Sequence, residues 1–271
     1  MVKARWSKAV RRKGGAVVAL LGLAMAGESQ PALGQTSPNP PPARSIEAVC
    51  PAEIPNAGFV DVTEDNLHRR AINCVVRYGI ASGRSSVAYS PDRPVRRDHM
   101  ATFVAQLIDA VGRSDASVPK LPAGASDPFP CDLAGSDSVH FDNIARLAAA
   151  GVVSGGPGGR PANCYGPDLL VTRGQMATFI IKALIFLEVP LVEGPDAAFG
   201  DYYVDDETSP HERNINAITS EGIAGGVGKD AAGGNLYLPL ATVRRDQMAT
   251  FLAATLSYVA EPGIVVAPPP E

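Results

Sequence analysis

The sequence has little of what most catalytic or membrane proteins display. Aromatic residues make up 6%, there is one tryptophan (Trp6), and there are four cysteines in 271 residues. No apolar run reaches the ~20 residues a bilayer-crossing helix needs. Gly 27 and Pro 24 punctuate the chain too often for a long coiled coil, so its helices should be short. No Cys-x-x-Cys pair is present, which argues against a structural zinc site. Gly-x-Ser-x-Gly, His-Glu-x-x-His and phosphate-loop patterns are missing too, so no catalytic residue is nominated and an enzyme is not expected. No cofactor is implied.

Acid is absent from residues 1–26, which carry six bases: Lys3, Arg5, Lys8, Arg11, Arg12 and Lys13. The rest of the chain is therefore more acidic than the overall net charge of −4. A surface of that sign repels nucleic-acid phosphate. The basic stretch leads into an apolar run, Gly14 to Ala26, followed by two small-x-small sites, Ala24-Met25-Ala26 and Ala32-Leu33-Gly34. This three-part layout predicts a secretory signal peptide over 1–34, cleaved after Ala26 or Gly34. An exported chain meets an oxidising compartment, so an even number of cysteines reads as disulfides. Cys50, Cys74, Cys131 and Cys164 allow three connectivities. The pairing Cys50–Cys74 with Cys131–Cys164 is preferred, because each bridge then staples one local unit of the repeat described next.

One block occurs three times. Val95-Arg96-Arg97-Asp98-His99-Met100-Ala101-Thr102-Phe103 returns as Val171-Thr172-Arg173-Gly174-Gln175-Met176-Ala177-Thr178-Phe179 and as Val243-Arg244-Arg245-Asp246-Gln247-Met248-Ala249-Thr250-Phe251. Upstream of each lies His-x-x-x-Ile, at His68, His140 and His211, with a glycine seven residues after the isoleucine at Gly79, Gly151 and Gly222. An aromatic-x-Pro step separates the two blocks (Tyr89, Tyr165 and Tyr237). Each unit opens on a phenylalanine with a nearby aspartate: Phe59 with Asp61, Phe129 with Asp132, Phe199 with Asp201.

Each unit reads as helix, Gly-rich loop, helix. Ile72, Val75 and Val76 form one apolar face at i, i+3, i+4. The three glycines stand where a left-handed cap ends a helix. Thr172 with Gln175 fits a capping box, and Met100, Phe103, Val104 and Leu107 form the buried stripe of the second helix. Units this small bury too little surface to stand alone. The expected fold is mainly α, with three helix-loop-helix repeats packed as a pseudo-threefold helical bundle. The expected layout is a Pro-rich spacer over 35–57, repeats over 58–111, 127–190 and 197–260, a linker over 112–126, and a Pro-rich tail over 261–271.

The Phe-x-Asp opening, the Ile helix with its glycine, the Gly-rich loop, the aromatic-x-Pro step and the Arg-containing second helix resemble the S-layer homology repeat, in three copies over about residues 58–260. The Arg of that repeat's Thr-Arg-Ala-Glu motif is present in every copy and its Glu in none. The resemblance implies a cell-surface protein that binds an anionic secondary cell-wall polysaccharide non-covalently. A guanidinium fork beside free helix-start amides suits a carboxylate or phosphate. Arg97, Arg173 and Arg245 are thus expected to face outward as ligand-binding residues together with Asp61, Asp132 and Asp201; the alternative is that each Arg pairs with one of these aspartates and locks neighbouring units. A structural or adaptor role, using the repeats for self-association or protein contacts, is the alternative. His68, His140 and His211 could converge on a metal, but local capping or packing is the expected role, and no metal site is assigned.

Overall fold

The computed structural model describes residues 38–124, 127–133, 139–191 and 202–268. The signal peptide expected over 1–34 lies outside them, as do Phe199 and Asp201. Among the described residues the fold is mainly α: six α-helices, α1 (Arg69–Arg77), α2 (Arg97–Ser114), α3 (Phe141–Ala149), α4 (Arg173–Phe186), α5 (Glu212–Ser220) and α6 (Arg245–Ala260), with a β-hairpin of two-residue strands, β1 (Gly228–Lys229) and β2 (Asn235–Leu236). Among the described residues no helix is long and apolar enough to cross a membrane.

Local chemistry explains where the helices stop and start. The short helices α1, α3 and α5 end on Gly79, Gly151 and Gly222, with φ of +69°, +72° and +66°. In the first, Gly79 N–H donates to the Val76 carbonyl (2.9 Å) and Ile80 N–H to that of Val75 (2.8 Å). This is the Schellman arrangement, repeated at Gly151 and Gly222, and a left-handed residue there is best a glycine. At the start of α4, Thr172 Oγ1 accepts from Gln175 N–H (3.3 Å) and Gln175 Oε1 from Thr172 N–H (3.3 Å).

The helices pack as α1 with α6, α2 with α3 and α4 with α5, so each long helix holds the short helix that begins the next stretch of chain, and α6 returns to α1. Met100, Val104, Leu107, Met176, Ile180, Leu184, Met248 and Leu252 are buried in one continuous core. At its centre three valines close a ring of main-chain bonds: Val95 N–H to Val243 O (2.9 Å), Val171 N–H to Val95 O (2.9 Å) and Val243 N–H to Val171 O (3.0 Å). The disulfides are Cys50–Cys74 and Cys131–Cys164.

Two expected connectors are more structured than their composition implied. α2 runs on to Ser114, and Val118 and Leu121 within the expected linker are buried. In the expected spacer, Val49 and Cys50 are buried and Arg44 N–H donates to Gly222 O (2.8 Å). Apolar side chains and a disulfide hold these segments down where proline content alone reads as extended.

Candidate functional site

Three arginines were expected to face solvent, and this is corrected: Arg97, Arg173 and Arg245 are only 6%, 6% and 4% exposed. Arg97 lies between the Tyr165 ring (4.7 Å) and the Phe179 ring (5.3 Å). Its Nε donates to Tyr165 O (3.0 Å) and its Nη2 to Ser154 O (3.3 Å). Arg173 repeats the pattern on Tyr237, Phe251 and Gly225 O, and Arg245 on Tyr89, Phe103 and Ser82 O. Burial lowers the pKa of Arg97 and Arg245 and pushes the Tyr89 phenol up to about 12. A desolvated cation between two rings gains about 2 kcal/mol or more from their quadrupoles, and carbonyl acceptors replace the water the guanidinium gives up. Each arginine is thus a clamp from one long helix onto the loop that precedes the next.

The helix-start amides are spent too. Arg97 and Asp98 N–H donate to Leu169 O (2.9 Å) and Pro167 O (3.1 Å), and the first two amides of α4 and α6 bond in the same way to Ala241, Pro239, Arg93 and Pro91. The third amide of each long helix is taken by a side chain: Asp98, Thr172 or Asp246. An anion therefore finds none of these nine amides free.

The aspartates hold the loops. Asp61 accepts from Tyr89 and Ser90 N–H (2.8 and 2.7 Å), and Asp132 from Tyr165 and Gly166 N–H (2.8 and 2.7 Å). The matching position in the third set is Asp205, which accepts from Tyr237 and Leu238 N–H (both 2.8 Å). Tyr203 stacks on Tyr237 (5.1 Å) as Phe59 does on Tyr89 (5.6 Å) and Phe129 on Tyr165 (5.2 Å). Asp201, nominated from Phe199-x-Asp, lies outside the described residues, while the Tyr203-Val204-Asp205 step supplies the role. Admitting tyrosine as the opening aromatic would have found it.

The histidines do not meet one another across the ring as a set of three. Each bonds through Nδ1 to the threonine of a neighbouring long helix: His140 to Thr102 (2.7 Å), His211 to Thr178 (2.8 Å) and His68 to Thr250 (2.8 Å).

One cavity of about 270 Å³ opens between the 152–158 loop, α4 and the start of α5. Gln175, Thr178, Phe179 and Lys182 line one wall, Pro210 and His211 another, and Arg97 its inner end. Arg97 Nε and Nη2 are used by the carbonyls of Tyr165 and Ser154. Gly174 lets the start of α4 approach His211, since a Cβ there would stand 3.0 Å from the imidazole. Gly155 lets the loop fold back, since a Cβ would meet Ala162 O at 2.1 Å. Burial, then the Arg97 charge, lower the His211 pKa, so the ring is a neutral polar lining at pH 7. Glutamine, threonine, lysine and imidazole over an aromatic edge can hold a hydroxyl-rich, negatively charged ligand. Neither Asp61 nor Asp132 lines this cavity.

Residues 132–177, which run from the Asp132 loop into α4, match the S-layer homology domain family. The chain is similar to the S-layer protein of Bacillus thuringiensis subsp. finitimus, 25% identical over 207 residues. It is equally similar to the S-layer protein sap of Bacillus anthracis, also 25% identical over 207 residues. Each alignment covers 76% of this chain and 22% of the relative, so the chain matches about a fifth of the length of these curated relatives.

Proposed function

We propose that this is an exported cell-surface protein that holds an anionic bacterial cell-wall polysaccharide non-covalently, and that three copies of one helix-loop-helix unit, set about a pseudo-threefold axis, form its binding frame. The match over 132–177 and the two S-layer relatives support the surface role. The threefold recurrence of the arginine clamp, the histidine–threonine bond and the valine ring supports the frame.

The observation that carries the binding reading is the cavity beside Arg97, with Lys182 at its wall. Arg97 lines the cavity while its Nε and Nη2 hold the loop. Lys182 supplies the accessible charge, and Gln175, Thr178 and His211 supply hydrogen bonds to sugar hydroxyls. Arg173 and Arg245 act by the same clamp on their own loops, and the aspartates act on the polymer only through the loops they order. No reaction is required of this site.

The test is co-sedimentation of the purified protein with wall sacculi, before and after the secondary polymer is stripped. Binding should vanish on stripping and fall about tenfold in Lys182→Glu, the equivalent of ~1.4 kcal/mol. Undiminished binding to stripped sacculi would instead favour assembly through protein contacts and overturn this reading.

A further inference from the structure

The joint between α2 and α3 carries a group of side chains that the wall-binding reading does not use. His99 stands where α4 and α6 have Gln175 and Gln247. Both glutamines accept from the backbone N–H before their helix, at 3.3 and 3.1 Å. α2 has no such box: the imidazole turns instead onto His140, ring centroids 4.9 Å apart at 66°. The chain has given up a helix cap at this one joint and gained a pair of imidazoles.

A carboxylate completes the group. His99 Nε2 is 3.9 Å from Asp98 Oδ1, and one donor atom from each of Asp98, His99 and His140 lies within 4.8 Å of the others. His99 Nδ1 is buried without a hydrogen-bond partner. The Thr102 contact at His140 Nδ1 (2.7 Å) is the kind of outer bond that orients a ligating ring through its other nitrogen. Arg96 lies on the Asp98 carboxylate (Nη2–Oδ2 2.6 Å) and also pairs with Asp168 (2.5 Å). The Arg245 guanidinium also acts on the His99 ring, so the two carboxylates and two guanidiniums of this group balance.

We propose that Asp98, His99 and His140 form a binding site for a divalent transition metal. Two imidazoles and a carboxylate are a nitrogen-and-oxygen set that suits Zn²⁺, with water as the fourth ligand. Ligands at roughly 2.0–2.1 Å from zinc stand closer together than these atoms do, so small side-chain rotations of His99 and His140 close the site. The ion would tie the first turn of α2 to the start of α3. His140 and His99 correspond in position to His211 and Gln175 of the 270 Å³ cavity, so the metal would sit in the matching groove. The proposal rests on the donor geometry alone and stands or falls independently of the polymer.

The experiment uses the untagged full chain, freed of metal with a chelator and titrated with Zn²⁺ by calorimetry, with Co²⁺ as a visible-absorption probe. One equivalent should bind, with a cobalt spectrum of low coordination number. Replacing an outer-shell partner commonly costs 10–100-fold in metal affinity, so removing a ligand in His99→Gln or Asp98→Asn should cost about 100-fold or more. His99→Gln carries the residue that α4 and α6 already use, so its helical circular dichroism should be retained. If it is not, Asp98→Asn decides. His68→Gln, outside the cluster, should bind as the parent does. No stoichiometric uptake, or uptake unchanged in His99→Gln and Asp98→Asn, overturns the proposal.

Discussion

The α4/α5 and α2/α3 joints are built on one scaffold and furnished differently. In both, a threonine of the long helix takes the histidine at the start of the short one, and an asparagine donates to the same hydroxyl: Asn214 to Thr178 (2.8 Å), Asn143 to Thr102 (3.2 Å). In both, an arginine from another long helix is sandwiched against the long helix's phenylalanine, Phe179 in one and Phe103 in the other. The side chains around that frame diverge. The α2/α3 joint has His99, Gln106 and an Arg146–Asp109 ion pair at 2.7 Å. The α4/α5 joint has Gln175, Lys182, Ala217 and an exposed Ile185 at the corresponding places, and it contains the cavity. A repeated frame held by buried clamps leaves its surface positions free to specialise, since those positions carry little of the stability.

The largest expected effect breaks the frame common to both. Arg97→Ala and Arg245→Ala each remove two charged hydrogen bonds to carbonyls and a ring sandwich, and should cost about 3–5 kcal/mol in denaturant unfolding. Similar losses in the two variants would show one shared clamp; a loss confined to one would show that the joints differ in the frame itself. Arg97→Lys should lose less, about 1–3 kcal/mol, because the charge stays and the fork does not.

Next comes the bridge beneath the cavity loop. Replacing Cys131 and Cys164 together by serine should lower stability by about 3–4 kcal/mol, by the chain-entropy account of a 33-residue separation. The same measurement on Cys50 and Cys74, which lie away from the cavity, should give a similar loss without altering wall binding.

A smaller change sharpens the comparison at the ligand. Exchanging the cavity lysine for its counterpart, Lys182→Gln, should weaken sedimentation with sacculi several-fold. Gln106→Lys should not restore it in that background, because the imidazole pair and the Arg146–Asp109 bond occupy the matching groove.

The smallest effect is one of pH. His211 has a pKa lowered from 6.5 by burial, so below that pH the unfolded chain takes up a proton that the folded ring resists. Its contribution is therefore complete above about pH 6.5 and declines as the pH falls. His211→Asn should lower the neutral-pH plateau by the lost Thr178 bond and flatten the acid side of the stability curve.

Much of the fold was legible because it is local. The glycine stops after α1, α3 and α5, the Thr172–Gln175 box and the Met-Ala-Thr-Phe stripe each depend on residues within one or two turns of each other. The arginine role was not legible. Arg97 finds its acceptor and its tyrosine 68 residues away, and sequence spacing cannot tell a guanidinium that meets solvent from one that meets a neighbouring loop's carbonyl. The helix-start amides misled for the same reason: their partners, such as Leu169 O and Pro167 O, come from another part of the chain. In the third set Tyr203-x-Asp offers the same pattern as Phe199-x-Asp four residues on, and the stacking of Tyr203 on Tyr237 identifies Asp205 as the residue that holds that loop.

What the order of amino acids determined by itself was the short helix, its glycine stop and the start of the long helix, since each follows from torsional preference and apolar spacing within a few residues. The tertiary structure decided which charges are buried, which amides are spent and where a cavity remains. Those depend on groups brought together from distant turns, where desolvation must be matched by a partner that only the packed chain supplies.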